Sequence, residues 1–354
     1  MVTPPKVKIP VGVLGATGVV GQRFLSLLDH HPWFEPVWLA ASDRSAGKTY
    51  AEAVRWRLAT PLPERFATMT VSEATPKSCA ARIVFAALDA AFAREIEPAF
   101  AAAGHAVISN SSALRMVEDV PLLVPECNPD HLGLIERQAS FKNNGGFVVT
   151  NPNCSTIGLV LALAPLQQAF GLESVLAVTM QAISGAGYPG VASLDILGNV
   201  VPYIGGEEDK METEAQKILG RLTPQGIAPS GFAVSAHCNR VAVEDGHMES
   251  VSVRLKSKPS LSEVEAALRS FRGRPQELDL PTAPPAPILV TNLPDRPQPR
   301  LDRNAGHGMA ATVGRLRPCA ILGYKFTVLS HNTLRGAAGA ALLNAELLYA
   351  EGRL

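Results

Sequence analysis

The chemistry begins at a cysteine placed where a helix starts. Asn151-Pro152-Asn153-Cys154-Ser155-Thr156 runs directly into the apolar stretch Ile157–Leu166, so Asn153 or Cys154 falls at the helix cap. The thiol then lies among free backbone N–H groups at the positive helix end. A free thiol, with a pKa of about 8.5, is only a few per cent ionised at neutral pH. A helix N-terminus and a nearby histidine lower that pKa by about a unit or more, which makes thiolate the main form. Most free cysteines are inert core residues, and Cys79, Cys127, Cys238 and Cys319 are read that way. The cap position sets Cys154 apart as a nucleophile.

A second group of residues suits proton transfer and anion binding. Arg240-Val241-Ala242-Val243-Glu244-Asp245-Gly246-His247 reads as a short strand, a turn and a histidine, which can set Arg240 and His247 on one side of a cleft. Imidazole titrates near neutrality and shuttles the proton of a thiol or a thiohemiacetal. A guanidinium grips a carboxylate through two parallel hydrogen bonds. A lone histidine is more often structural, and His30, His31, His105, His131, His237, His307 and His331 are read so. Asn110-Ser111-Ser112-Ala113-Leu114-Arg115 follows a strand and gathers the hydroxyls, amide and guanidinium that suit an anion such as phosphate. Glu207 and Lys210 share a face if their segment is helical, and by themselves read as a surface salt bridge. Gln181 and Ser184-Gly185-Ala186-Gly187 follow a strand as a backbone-rich rim, or as a plain turn.

The N-terminal glycines point to a dinucleotide. Gly15-Ala16-Thr17-Gly18-Val19-Val20-Gly21 lies between a strand and a helix, where backbone N–H groups can approach a pyrophosphate. Glycine permits the tight turn and the close approach. The spacing is a variant of the usual fingerprint, and an ordinary glycine turn is the competing reading. About twenty residues on, the second strand ends in Ser42-Asp43-Arg44-Ser45, with Lys48 nearby. Ser42, Arg44 and Ser45 suit the 2′-phosphate of NADP, whereas an acidic residue such as Asp43 suits NAD. NADP is the favoured reading.

These residues need elements to hold them. Apolar runs at Val7–Leu14, Pro36–Ser42, Arg82–Ala87, Ala106–Ser109 and Phe147–Thr150 alternate with helical stretches at Val19–Leu28 and Ala91–Ala103. Such alternation predicts a mainly parallel sheet with helices on both faces. After Asn151 the texture becomes mixed: strand-like runs at Ser174–Met180, Met248–Leu255, Ile288–Thr291 and Ala311–Arg317, with a polar helix at Glu207–Leu219. The Ala- and Leu-rich segment Thr333–Tyr349 predicts a helix that returns to the first domain. The expectation is an α/β chain: a Rossmann-type dinucleotide-binding domain, 1–150 with 330–354, and a mixed α+β catalytic and oligomerisation domain, 151–329.

Bulk properties narrow the class. The 354 residues exceed one typical domain, and 47% hydrophobic with 18% charged residues fits large buried cores. Zero net charge argues against capture of nucleic acid or acidic membranes. No apolar run approaches the roughly 20 residues of a membrane span, and no signal peptide is apparent. Five scattered cysteines offer neither a disulfide framework nor a metal site, so a reducing, cytoplasmic location is expected.

Taken together, the chain resembles the aspartate-semialdehyde dehydrogenases of the archaeal and fungal branch along almost its full length. The resemblance is carried by GATGVVGQRF (15–24), NSSALRM (110–116), NPNCSTIG (151–158), QAISGAGYPG (181–190), GGEEDKMETE (205–214), CNRVAVEDGH (238–247), PDRPQPRLDR (294–303) and SHNTLRGAAG (330–339). It implies Cys154 as nucleophile, His247 as general acid/base and Gln181 as the group that positions an acyl intermediate. It implies Arg240 for the substrate carboxylate, Glu207 for its amino group, and Arg115 and Lys210, with Ser112, for phosphate. Gly15, Thr17, Gly18, Val19, Val20, Ser42, Arg44, Ser45, Ser184, Gly185 and Asn332 would hold NADP. The family's reaction interconverts L-aspartate 4-semialdehyde and L-aspartyl 4-phosphate with inorganic phosphate, on the route to lysine, methionine and threonine, in homodimers or homotetramers without metal. Ala242 and His307 depart from the pattern, where proline and asparagine are usual. A malonyl-CoA reductase on the same scaffold would share Cys154, His247 and Arg240, and coenzyme A dependence would reveal it. A catalytically silent dinucleotide sensor is the other alternative, against which Cys154 and His247 count jointly.

Overall fold

The computed structural model describes residues 2–354. The chain forms two compact units: one holds the residues up to Leu123, Asp130–Asn151 and Ala337–Leu354, the other Val124–Pro129 and Pro152–Gly336. The sequence expectation placed 124–129 in the first domain and began the return at 330. Glu126 belongs with the second unit because its carboxylate pairs with Arg335 there.

In the first unit, β1 (Ile9–Leu14), β2 (Phe34–Ala41), β3 (Val71–Glu73), β4 (Ile83–Ala86), β5 (Ala106–Ser109) and β6 (Phe147–Thr150) form one parallel sheet. Its order is β3-β2-β1-β4-β5-β6, the doubly wound arrangement, with the reversal of strand order between β1 and β4. β4, β5 and β6 are buried at every position, as strands covered on both faces must be. The helix Gly339–Ala350 is buried all round through Leu348 and packs on β5. His31 Nε2 binds its Glu346 at 2.8 Å, so the one acid sunk in that helix has a partner.

The second unit is built around the helix Cys154–Phe170, whose residues Ser155–Leu166 are all buried. Its leucines, Ile157 and Val160 contribute about 1.5–3 kcal/mol each. The strands are β7 (Leu172–Gln181), a small hairpin of β8 (Arg221–Thr223) and β9 (Gly226–Ala228), β10 (Ala233–Arg240), β11 (His247–Leu255), β12 (Ile288–Thr291), β13 (Ala311–Cys319) and β14 (Gly323–Ser330). The main sheet runs β10-β7-β11-β14-β13-β12 and mixes parallel with antiparallel pairs. Two of its strands escape the sequence reading. β14 lacks clean alternation, because it goes from half-exposed to wholly buried along its length. β10 ends at Arg240 rather than beginning there, and 241–246 is the turn that leads to His247.

Among the described residues, no helix is long and apolar enough to cross a membrane. No group of three or more potential metal ligands occurs among them either. His307 sits at φ 57, in the left-handed region that asparagine also tolerates.

Candidate active site

The local sequence places Cys154 as foreseen. It is the first residue of its helix, and Asn153 is the cap, its side-chain oxygen accepting from the N–H groups of Ser155 (2.9 Å) and Thr156 (3.2 Å). Asn153 is itself tethered twice. Its backbone N–H donates to Glu214 Oε2 at 2.6 Å, and its amide donates to Glu207 Oε2 at 2.7 Å. Both acids lie on the helix Glu207–Ile218, seven residues and so two turns apart on one face. That spacing was readable in the GGEEDKMETE block, yet Glu214 was not singled out.

Strand register assembles the rest. Arg240 ends β10 opposite Gln181 on β7, and His247 opens β11, on the other side of β7, opposite Ser330 on β14. Ala182, just after β7, ties the two together: its N–H donates to His247 Nδ1 at 3.0 Å, and its carbonyl accepts from Arg240 Nη1 at 2.9 Å. Because Nδ1 accepts, the neutral imidazole carries its proton on Nε2. That atom lies 3.2 Å from Cys154 Sγ. The sulfur therefore meets a donor as well as a helix N-terminus, and both favour thiolate over thiol. Glu207 Oε2 reaches Gln181 Nε2 at 3.5 Å, and its Oε1 pairs with Lys210 Nζ at 2.9 Å. The surface pair considered from sequence is thus half of a cluster whose acid is buried. Burial pulls the Arg240 guanidinium below its ordinary pKa, opposed by the charges of Cys154 and Glu207.

The glycine rim also takes a specific form. A Cβ at Gly185 would stand 2.8 Å from Arg240 Nη1 and 3.0 Å from His247 Nε2, so only glycine leaves those groups in place. Asn332 donates to Ser184 Oγ at 2.8 Å and accepts from Gly246 N–H at 2.8 Å, locking the rim to the turn before His247. Gly185→Ala is expected to reduce kcat/KM by roughly a hundredfold, the scale of an ångström's misplacement. An unchanged circular dichroism spectrum would show that the loss is local. Gly336, absent from the sequence reading, packs as closely: a Cβ there would be 2.7 Å from that of Cys154.

Protonation of His247 is opposed by burial, by Arg240 and by His331, which together lower its pKa to about 3. In the unfolded chain the ring titrates near about 6.5. Below that pH the unfolded state binds the proton that the folded state refuses, so stability contributed by neutral His247 falls as pH drops from about 6.5 toward about 3. A His247→Gln variant is expected to lose less stability across this window than the parent in urea titrations. Two residues along, Glu249 is fully buried with neither oxygen hydrogen-bonded, and burial raises its pKa well above the usual carboxylate value. Glu249→Leu is expected to stabilise the fold by about 1–3 kcal/mol, read as a higher denaturant midpoint.

The other cysteines are free thiols. Burial pushes Cys79 and Cys127 upward and Cys238 to about 12, as inert core thiols require. Cys319 differs, because backbone N–H groups, chiefly that of Leu322, hold its pKa below the ordinary thiol value.

The remaining predicted residues belong to the first unit. Gly15 has φ +82, and a Cβ on it would strike the Ala87 carbonyl at 2.4 Å. One on Gly21 would strike Gly15 O at 2.3 Å. Gly18 caps the helix Val19–Leu28 and is exposed, with Thr17, Val19 and Val20 half-buried around it. Ser42, Asp43 and Arg44 are exposed just beyond the C-terminal end of β2, with Ser45 N–H turned back onto Ser42 O. An open helix N-terminus beside the β1/β4 reversal is the place a doubly wound sheet offers a dinucleotide. After β5, Ser112 is exposed while Arg115 is buried and donates through Nη2 to Asn110 O at 2.9 Å.

Known proteins resemble the chain along nearly its full length. Residues 10–135 match the family described as semialdehyde dehydrogenase, NAD binding domain, and residues 163–335 match its dimerisation domain. The aspartate-semialdehyde dehydrogenase of Archaeoglobus fulgidus is 53% identical over 96% of this chain and 98% of its own. That of Saccharomyces cerevisiae is 48% identical over 96% and 97%. The chain belongs to the aspartate-semialdehyde dehydrogenase family. Within that family, the crystal structure of the Candida albicans enzyme with NADP superposes with a TM-score of 0.91 at 45% identity, covering 98% of this chain and all of that one. The expected fold class, a Rossmann-type domain with a mixed second domain, is the one found.

Proposed function

We propose that this chain is an NADP-dependent, phosphorylating aldehyde dehydrogenase that interconverts L-aspartate 4-semialdehyde and L-aspartyl 4-phosphate. The observation that carries the reading is the contact of Cys154 Sγ with His247 Nε2 at the mouth of a capped helix. The family's NADP-bound member and the open glycine turn at Gly15–Gly18 support the cofactor.

In the reducing direction, the Cys154 thiolate attacks the acyl carbon of the aspartyl phosphate. The C–O bond to phosphate breaks, and phosphate leaves, taking up a proton from water. Gln181, next to Arg240 in register, orients the resulting thioester, while Arg240 grips the α-carboxylate and Glu207 the amino group. Arg115, Ser112 and Lys210 bind the phosphate. The glycine turn, Ser42, Arg44, Ser45, Ser184, Gly185 and Asn332 would hold NADPH, which would supply the hydride for the acyl carbon. His247 Nε2–H, which faces the sulfur, donates a hydrogen bond to the oxyanion that forms on the tetrahedral carbon and stabilises it. The C–S bond then breaks, releasing the aldehyde and restoring the thiolate. The sulfur ester is what makes the acyl carbon receptive to hydride.

The match to a dimerisation domain supports a homodimer or homotetramer, and the reaction belongs to cytoplasmic synthesis of lysine, methionine and threonine. The test is oxidation of aspartate semialdehyde with NADP or NAD, with and without phosphate or coenzyme A. Strict phosphate dependence is expected. Turnover that needs coenzyme A instead would overturn the reading in favour of a malonyl-CoA reductase.

A further inference from the structure

We propose that Glu97 is a positioning residue for the anion-binding loop 110–115, acting through the hydroxyl of Ser109 and the backbone of Ser111. The inference rests on the reading of Ser112 and Arg115 as phosphate ligands.

Glu97 lies on the helix Ala90–Ala102 and is completely buried, among inward positions otherwise filled by Ala93, Phe100 and Ala101. Packing alone gives no reason for an acid there, because a buried carboxyl is costly unless its hydrogen bonds are met. Its Oε1 accepts from Ser109 Oγ at 2.7 Å. The Ser109 hydroxyl has a single proton, and Glu97 claims it. A lone pair of the same oxygen is thereby turned to accept the Ser111 N–H, at 3.0 Å. Ser111 repeats the device by accepting the Ala113 N–H at 3.3 Å, and Arg115 closes the loop on Asn110 O. With the N–H groups of Ser111 and Ala113 drawn inward, exposed Ser112 between them is left to face a ligand.

Charge is consistent with that role. Burial raises the Glu97 pKa to about 7, against the opposing pull of Ser109 and of nearby Arg115. The acid therefore supports the loop at neutral pH without setting a full negative charge permanently beside Arg115. Without it, the Ser109 proton is free to turn toward the Ser111 N–H, and two donors then face each other.

The experiment measures KM for phosphate, KM for NADP and kcat in full-length Glu97→Ala, Glu97→Gln, Ser109→Ala and Arg115→Ala variants. Glu97→Ala and Ser109→Ala are expected to raise KM for phosphate about tenfold, with KM for NADP and kcat at saturating phosphate little changed. Glu97→Gln keeps an oxygen for the Ser109 proton and is expected to stay near the parent. If Glu97→Ala lowers the melting temperature but leaves KM for phosphate unmoved, the acid is merely structural and the proposal is overturned. Should that variant fail to fold, Ser109→Ala decides by the same criterion. If Arg115→Ala also leaves KM for phosphate unmoved, the phosphate assignment itself has failed and the proposal falls with it.

Discussion

Cys154→Ser is expected to abolish turnover, by roughly a thousandfold or more. Sulfur and oxygen fill similar space here, so the Asn153 cap, the Ala182 bonds and the strand register should survive the change. What is lost is chemical. A serine hydroxyl is scarcely ionised at neutral pH, and neither the helix N-terminus nor a histidine whose Nε2 already carries its proton can take the hydroxyl proton away. The oxygen ester, if formed, would also accept hydride less readily than the sulfur ester. Steady-state assays should therefore show loss of kcat while NADP binding, followed by fluorescence titration, persists. Near-normal turnover by the serine variant would sink the covalent scheme. In the parent, a thiol reagent at neutral pH should label Cys154 ahead of Cys79, Cys127 and Cys238, whose burial favours the unreactive thiol form.

Arg335→Met should cost about 3–5 kcal/mol of stability, the largest effect expected away from the nucleophile. Arg335 and Glu126 form a two-pronged pair, Nη1 to Oε1 at 2.7 Å and Nη2 to Oε2 at 2.6 Å, with both side chains wholly buried. Truncating the guanidinium leaves a carboxylate in the interior without its counter-charge. The following residue is Gly336, which rests against Cys154, so slack at Arg335 is passed to the nucleophile. Replacing both partners, as Arg335→Met with Glu126→Leu, removes the orphaned charge and should recover much of the loss. Urea unfolding of the two single variants and the double variant gives the comparison. Equal loss in all three would show that packing volume, and not the unpaired charge, governs this place.

The contrast between these two sites describes how far the chain could be read in one dimension. Cys154 was legible because its cap, its neighbours and its helix are contiguous, and a helix start is written in a few adjacent residues. The glycine turn at 15–21 was legible for the same reason, and so were the strands β5, β6 and β12, whose limits match the sequence reading. Arg335 and Glu126 stand 209 residues apart, and nothing local to either announces the other. Glu214 and Gly336 were missed in the same way, since each matters only through a partner far along the chain.

Sequence by itself determined the alternation of strand and helix, the cysteine at a helix start, and an inventory of groups fit for a carboxylate, a phosphate and a dinucleotide. Tertiary structure decided which of them meet. Arg240 and His247 flank Gln181 only because β10 and β11 pair with opposite edges of β7. The proton of His247 sits on Nε2 only because Ala182, 65 residues away in the chain, offers its N–H to Nδ1. The reason is physical: side-chain periodicity records whether a residue is buried, while register and long-range pairing depend on topology, which no local pattern encodes.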